Sequence, residues 1–285
     1  MTSVPLSRRQ QVRVLGDRDR PELLELCAAD SVANVFLAER LTNRAPLARG
    51  GQVWGYYERG RLLSACWSGA NLVLVEATPA AVDAFAARAL DQGRRCSSIF
   101  GPADPTLALW ARLQPFWSRP RDVRPNQPLM AMTGDAVVPA DPAVRLGNDH
   151  DLPALVPACV AMFTEVVGYS PLEVDGGWAY RARVMQLVTT GRSFVRTGST
   201  GGQIAFKAEI GAVSAQVAQI QGVWVDPIWR GQGLAAPAMA SVVNLTRRHV
   251  VPTVSLYVND FNHRALAVYR KVGFTQVGTF ATVLF

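Results

Sequence analysis

Val223-Trp224-Val225-Asp226-Pro227-Ile228-Trp229-Arg230-Gly231-Gln232-Gly233-Leu234-Ala235-Ala236 decides how this chain is read. The stretch begins as an apolar strand and breaks at Pro227. It then turns through two glycines into an Ala-rich run that reads as a helix to about His249. Without a Cβ, Gly231 and Gly233 let the turn tighten and let a ligand approach the backbone closely. The amides of Gly231 through Ala236 have no intrahelical acceptor, and the helix dipole adds partial positive charge there. Such a turn is an anion site, suited to a pyrophosphate. Pro237 falls in the first helical turn, where its missing N–H costs little. There is no third glycine in G-x-G-x-x-G register and no Gly-Lys-Ser/Thr, which sets the stretch apart from the Rossmann and P-loop fingerprints.

Arg230-Gly231-Gln232-Gly233-Leu234-Ala235, after a strand ending Val-x-Pro, resembles the Arg/Gln-x-x-Gly-x-Gly/Ala signature of the GNAT superfamily of acyl-CoA-dependent N-acyltransferases. A second stretch, running from Val258-Asn259-Asp260-Phe261-Asn262 to Tyr269 and Gly273-Phe274, also resembles that family. There an Asn follows the fifth strand, and the next helix carries a Tyr before a Gly-Phe ending. Asn262 can N-cap that helix, and Tyr269, about two turns later, faces the same side. The two motifs occur in family order, about 30 residues apart.

The resemblance implies the function. Acetyl-CoA is the acyl donor and a substrate, no metal is needed, and the acceptor is a primary amine of a small molecule or a protein. Backbone groups of Val223, Trp224 and Val225 would pair with pantetheine as an added strand. Arg230, Gly231, Gln232, Gly233, Leu234, Ala235 and Ala236 would hold the pyrophosphate. Asn259, Asn262 and Tyr269 would line the pantetheine arm, and Tyr269 would protonate the departing thiolate. Many family members carry a Glu six residues before the proline, where this chain has Gln221, which cannot accept a proton. Glu209 on the preceding strand is the leading substitute, with Glu165, Glu173, Asp260 or a water chain as alternatives. A binding module that holds acyl-CoA without transfer is the reading from a different class.

Around these motifs the chain repeats itself. Residues 12–29 and 144–161 match without gaps at an offset of 132, with eight of eighteen positions identical. The identities are Val12/Val144, Arg13/Arg145, Asp17/Asp149, Asp19/Asp151, Pro21/Pro153, Leu23/Leu155, Cys27/Cys159 and Ala29/Ala161. Ordinary residue frequencies give about one by chance. Each copy reads as a short strand, an acidic helix start with proline in the first turn, and an amphipathic helix. The first half continues in the same element order, but Thr78-Pro79-Ala80-Ala81 stands where the glycine turn should be. The expected fold is therefore α/β (α+β), with tandem GNAT-like domains, each a mixed, mostly antiparallel sheet flanked by helices. Residues 1–135 form a degenerate copy of unknown role, 134–142 a linker and 143–285 the acyltransferase domain. The plan resembles a two-domain actinobacterial subgroup of the family.

Composition narrows the rest. The chain has 285 residues, 49% of them apolar, enough for one large core or two ordinary ones. Cys27, Cys66, Cys96 and Cys159 are far apart and read as reduced core residues, and the three histidines lack zinc-ligand spacing. A polar N-terminus and the absence of a long apolar run point to a cytoplasmic protein with no membrane partner. The net charge of +7 comes from scattered arginines without interleaved aromatics, which argues against nucleic acid. Homo-oligomerisation is compatible with everything in the sequence.

Overall fold

In the computed structural model of the chain, residues 10–43, 45–173, 175–198 and 202–285 are described. They form two compact units that are not the two sequence halves. Of these described residues, the first holds those from 10 to 130 with 257–262 and 276–285, and the second those from 131 to 256 with 263–275.

In the first unit, β1 (Gln10–Leu15), β2 (Gly51–Glu58), β3 (Arg61–Gly69) and β4 (Asn71–Val75) run as an antiparallel meander. Next, β5 (Ser98–Pro102) pairs parallel with β4, reached through α3 (Pro79–Gln92). Helices α1 (Arg20–Ala28) and α2 (Val35–Thr42) precede β2; α4 (Ala103–Leu113) and β6 (Asp122–Met132) complete the first half. Both faces of this sheet are covered. Trp54, Tyr56, Leu72 and Leu74 pack with α3 and α4, while Val53, Tyr57, Val73 and Val75 pack with α1 and α2. Burial on both faces explains the weak alternation of these strands.

The second unit repeats the plan with β7 (Arg145–Leu146), β8 (Ser193–Thr197), β9 (Ile204–Val213) and β10 (Val217–Val225) antiparallel, and β11 (Thr253–Tyr257) parallel to β10. Its helices are α5 (Leu152–Val167), α6 (Trp178–Thr189), α7 (Ala235–His249) and α8 (His263–Val272). By length and composition, Asp149–Val167 is long and apolar enough to cross a membrane, a feature the sequence reading missed. Leu155, Ala158 and Cys159 of that helix pack into the core over β9 and β10, as a sheet-covering helix does.

The last strand, β12 (Thr275–Leu284), sits against β5 of the first unit, with Phe280 opposite Pro102 and Leu284 opposite Ser98. Residues 276–285 thus leave the 143–285 stretch and complete the first unit's sheet. Asn259 and Asn262 also belong to the first unit, where Asn259 Oδ1 accepts from Gln127 Nε2 at 2.8 Å. Gln127 Oε1 in turn accepts from Thr282 Oγ1 at 2.6 Å. All four cysteines are buried and form no disulfide.

Candidate active site

The quoted stretch folds as its residues require. Asp226 Oδ1 accepts from Ile228 N at 3.0 Å, and Pro227–Trp229 makes one 3-10 turn that the sequence reading did not foresee. Gly231 and Gly233 both adopt φ of +78°, and a Cβ on either would meet open space. Backbone conformation, not crowding, is what demands glycine here. Among the described residues, no N–H from Gly231 to Ala236 donates a hydrogen bond; the first such donor is Ala238, to Leu234 O at 3.1 Å. The N-terminus of α7 has no side-chain cap, and Gly231, Gln232 and Gly233 before it are exposed, while Leu234 and Ala235 are half-buried and Ala236 is buried. Gln232 Nε2 folds back to Ile228 O at 2.9 Å, so its side chain braces the turn from within.

The strand before the turn is split from its neighbour. β10 pairs with β11 only from Val217 to Gln219. On the other side, the ladder to β9 slips between Gln221 and Trp224, where Gly222 has φ of +59°. Gly222 and Val223 have no partner in either ladder among the described residues. Trp224 and Val225 rejoin β9 opposite Lys207 and Phe206. A gap therefore opens beside β10 where it reaches the bare amides, and an extended chain could add there as a strand.

Under α5 and α6 lies a polar cluster. The Glu209 carboxylate accepts from Gln221 Nε2 at 2.9 Å and from Lys207 Nζ at 3.3 Å, and Arg183 stands 3.6 Å away. Burial would raise its pKa, but the charges of Lys207 and Arg183 and the bonds from Gln221 and Lys207 outweigh it, and the pKa falls. Lys207 is only 1% exposed and also reaches Cys159 Sγ at 3.3 Å. Desolvation opposes its charge, yet the facing Glu209 carboxylate wins and its pKa rises. A methyl on Gly222 would sit 3.0 Å from Glu209 and 3.1 Å from Lys207, so the bulge lies directly over this pair. The sequence signal for Lys207 was present, since it is one of two lysines among 29 basic residues and interrupts an apolar strand.

Tyr269 lies on α8, which packs against α7, and it is buried edge-on to Phe274. Desolvation raises its phenol pKa above the ordinary value. Among the described residues, no cluster of three His, Cys, Asp or Glu side chains could hold a metal. The second unit thus brings together Val223, Trp224, Val225 and the Arg230–Ala236 turn, with Glu209 beneath the bulge.

Residues 165–274 match the model of the acetyltransferase (GNAT) family, and residues 51–155 match a domain of unknown function, DUF4081. Over residues 165–274 the chain is similar to GNAT acetyltransferases. No curated protein matches the chain in sequence. Among solved structures, a GNAT-family acetyltransferase from Colwellia psychrerythraea is 14% identical with a TM-score of 0.55, covering 96% of this chain and 99% of its own. A tandem GNAT protein from the clavulanic acid biosynthesis pathway is 16% identical with a TM-score of 0.55, over 96% of this chain and 98% of its own. A GCN5-related N-acetyltransferase from Sphaerobacter thermophilus is 15% identical with a TM-score of 0.61, over 98% and 96%. At these identities the likeness is one of fold, and it extends over both halves of the chain.

Proposed function

We propose that the GNAT domain transfers an acetyl group from acetyl-CoA to a primary amine by direct attack. One observation carries the reading: a strand that loses its partner at Gln219 runs into a glycine turn whose six amides, Gly231 to Ala236, are undonated among the described residues. Those amides and the helix dipole match a pyrophosphate, and the free edge at Val223 matches the extended pantetheine arm. The amine nitrogen attacks the thioester carbonyl, the C–S bond breaks, and the nitrogen loses a proton. A backbone N–H in the β10 segment would stabilise the oxyanion.

Two side chains shape the chemistry. The Tyr269 hydroxyl has a pKa above its usual value of about 10, well above a thiol near 8.5, so full proton transfer to the thiolate is uphill. Its contribution is a hydrogen bond to the developing sulfur charge. Glu209, with its pKa lowered and its oxygens already bonded, is a weak base. An amine that is partly neutral at pH 7 suits such a site. Neutralising a lysine-like amine of pKa about 10.4 costs about 4.6 kcal/mol at that pH, whereas an α-amine near 7.8 costs about 1 kcal/mol. An N-terminus or an amino sugar therefore fits better than a lysine side chain.

The weak base also gives the second reading its support: an acyl-CoA-binding module without turnover needs no base. Thiol release from acetyl-CoA over a panel of α-amines, amino sugars and lysine-like amines separates the two. Amine-dependent release supports transfer, and stoichiometric binding without release overturns it.

A further inference from the structure

Glu165, near the C-terminal end of α5, takes no part in the chemistry above, yet its carboxylate gathers the strand end and the first residue of the phosphate turn. Its two oxygens accept from Arg230 Nη2 at 2.9 and 2.8 Å, and Oε1 also accepts from Trp224 Nε1 at 3.3 Å. Arg230 Nε donates at the same time to the Val225 carbonyl at 2.9 Å. One acidic side chain on a neighbouring helix thereby ties the strand just after the bulge to the first residue of the turn. Trp224 is rooted in the core at 7% exposure, so the tie has a rigid end. Arg230 and Glu165 are about two-fifths exposed, at 41% and 43% of their side chains.

We propose that Glu165 is a positioning residue for acyl-CoA binding, holding Arg230 and Trp224 so that the glycine turn and the free strand edge are set before the ligand arrives. The inference rests on the acetyl-CoA reading above. An exposed ion pair adds little to folding, so stability alone gives this network no purpose. Ligand binding is different. Two glycines at φ of +78° leave the turn with much freedom to lose, and a tie that removes this freedom beforehand strengthens binding by lowering the ordering cost. The geometry also fixes where the guanidinium points. With Nε on the Val225 carbonyl and Nη2 on Glu165, Arg230 lies along the strand end and not across the amides.

The opposite arrangement would make Glu165 a competitor that keeps Arg230 away from the phosphates, and the two differ in sign. Titration calorimetry of the full-length protein with CoA decides between them, on wild type, Glu165→Leu, Arg230→Leu and the double variant. Positioning predicts that each single change raises Kd roughly tenfold and that the double change costs about the same tenfold, because the two residues act as one unit. Melting temperatures should move by only a few degrees. Glu165→Gln keeps one acceptor oxygen and should weaken binding less than Glu165→Leu, which keeps the test usable if the leucine variant folds poorly. Tighter CoA binding by Glu165→Leu, unchanged binding, a multiplicative double variant, or a melting loss with unchanged Kd would each overturn the inference. Failure of the wild type itself to bind CoA would instead remove the functional reading beneath it.

Discussion

The two units share a scaffold and differ where a ligand would sit. At the start of each copy, an arginine on the first strand holds an aspartate at the helix start: Arg13 with Asp19 at 2.8 Å, and Arg145 with Asp151 at 2.6 and 2.7 Å. The same aspartates cap a backbone N–H three residues earlier, on Gly16 and Asn148. Leu23 and Leu155 are fully buried, as are Cys27 and Cys159 to within 3%. Five of the eight repeat identities are thus accounted for by folding alone, counting the pair of first-turn prolines.

The ends of β4 and β10 tell the opposite story. In the first unit Pro79 has no N–H, Ala81 N is used by Thr78 Oγ1 at 3.2 Å, and Val82 N by Thr78 O at 2.9 Å. Ser64 Oγ stitches the turn further, donating to Glu76 O and accepting from Thr78 N. Beside it, Phe100 packs edge-on to Phe36 and stacks on Tyr257, filling the side where a gap would open. A closed cap and a filled cleft stand in place of bare amides and a split ladder. The shared residues maintain a fold, and the divergent ones decide whether backbone amides stay unpaired at the strand's end.

A further difference is buried charge. Among the described residues, the buried charged side chains Asp151, Lys207 and Glu209 all lie in the second unit. Glu209→Leu leaves the Lys207 ammonium without its carboxylate, and breaking a buried pair this way costs about 3–5 kcal/mol. The expected result is the largest stability loss of any single change discussed, read as a denaturation midpoint. A variant as stable as wild type would mean that the pair is open to water and that the two units are electrostatically alike.

Gly233→Glu attacks the comparison at its centre. The side chain introduces a carboxylate among the amides and a residue that disfavours φ of +78°. CoA binding should weaken at least about a hundredfold, or about 2.7 kcal/mol, with the fold retained. In the full-length variant no residual CoA stoichiometry should remain. Residual micromolar binding would show that the first unit holds CoA despite its closed cap.

Tyr269→Phe should be milder. The ring still packs on Phe274, so CoA affinity and melting temperature should stay close to wild type. Losing a hydrogen bond to developing charge, worth about 1.5–3 kcal/mol, lowers kcat roughly 10- to 150-fold. A kcat within about threefold of wild type would remove the hydroxyl from the mechanism, and a fall in CoA affinity with kcat intact would make it structural.

The glycine turn was more legible in the sequence than the partition of the chain. The glycine turn could be read because φ of +78° and bare amides are local demands, written in neighbouring residues. The repeat could be read because ion pairs and caps act over six residues. The destination of residues 276–285 could not, because pairing with β5 is a choice between strand edges far apart in sequence. The bulge at Gly222 was missed for a related reason: its meaning lies in Glu209 and Lys207 on the next strand. The network around Glu165 escaped because it joins residues 59 and 65 positions apart.

The smallest effects belong to the shared scaffold, and they test whether the two copies are energetically equal. Asp151 holds Arg145 through two bonds, while Asp19 receives one from Arg13, whose Nη2 also donates to Tyr57 at 2.8 Å. Asp151→Asn should cost about 1.5–3 kcal/mol, as for hydrogen bonds to charged groups, and Asp19→Asn should fall at or below the low end of that range. The acid side gives an independent check on the larger effect. The bond from Arg145 lowers the Asp151 pKa and outweighs its burial, so the folded state holds this proton less tightly than the unfolded chain. A depressed folded pKa contributes stability that is complete above the unfolded value of about 3.9 and is lost as pH falls through the folded value. Wild type and Asp151→Asn should therefore differ most at neutral pH and converge below about pH 4. Equal losses at Asp19 and Asp151, or a difference that persists undiminished at low pH, would mean that the twofold bond to Arg145 adds nothing beyond the cap.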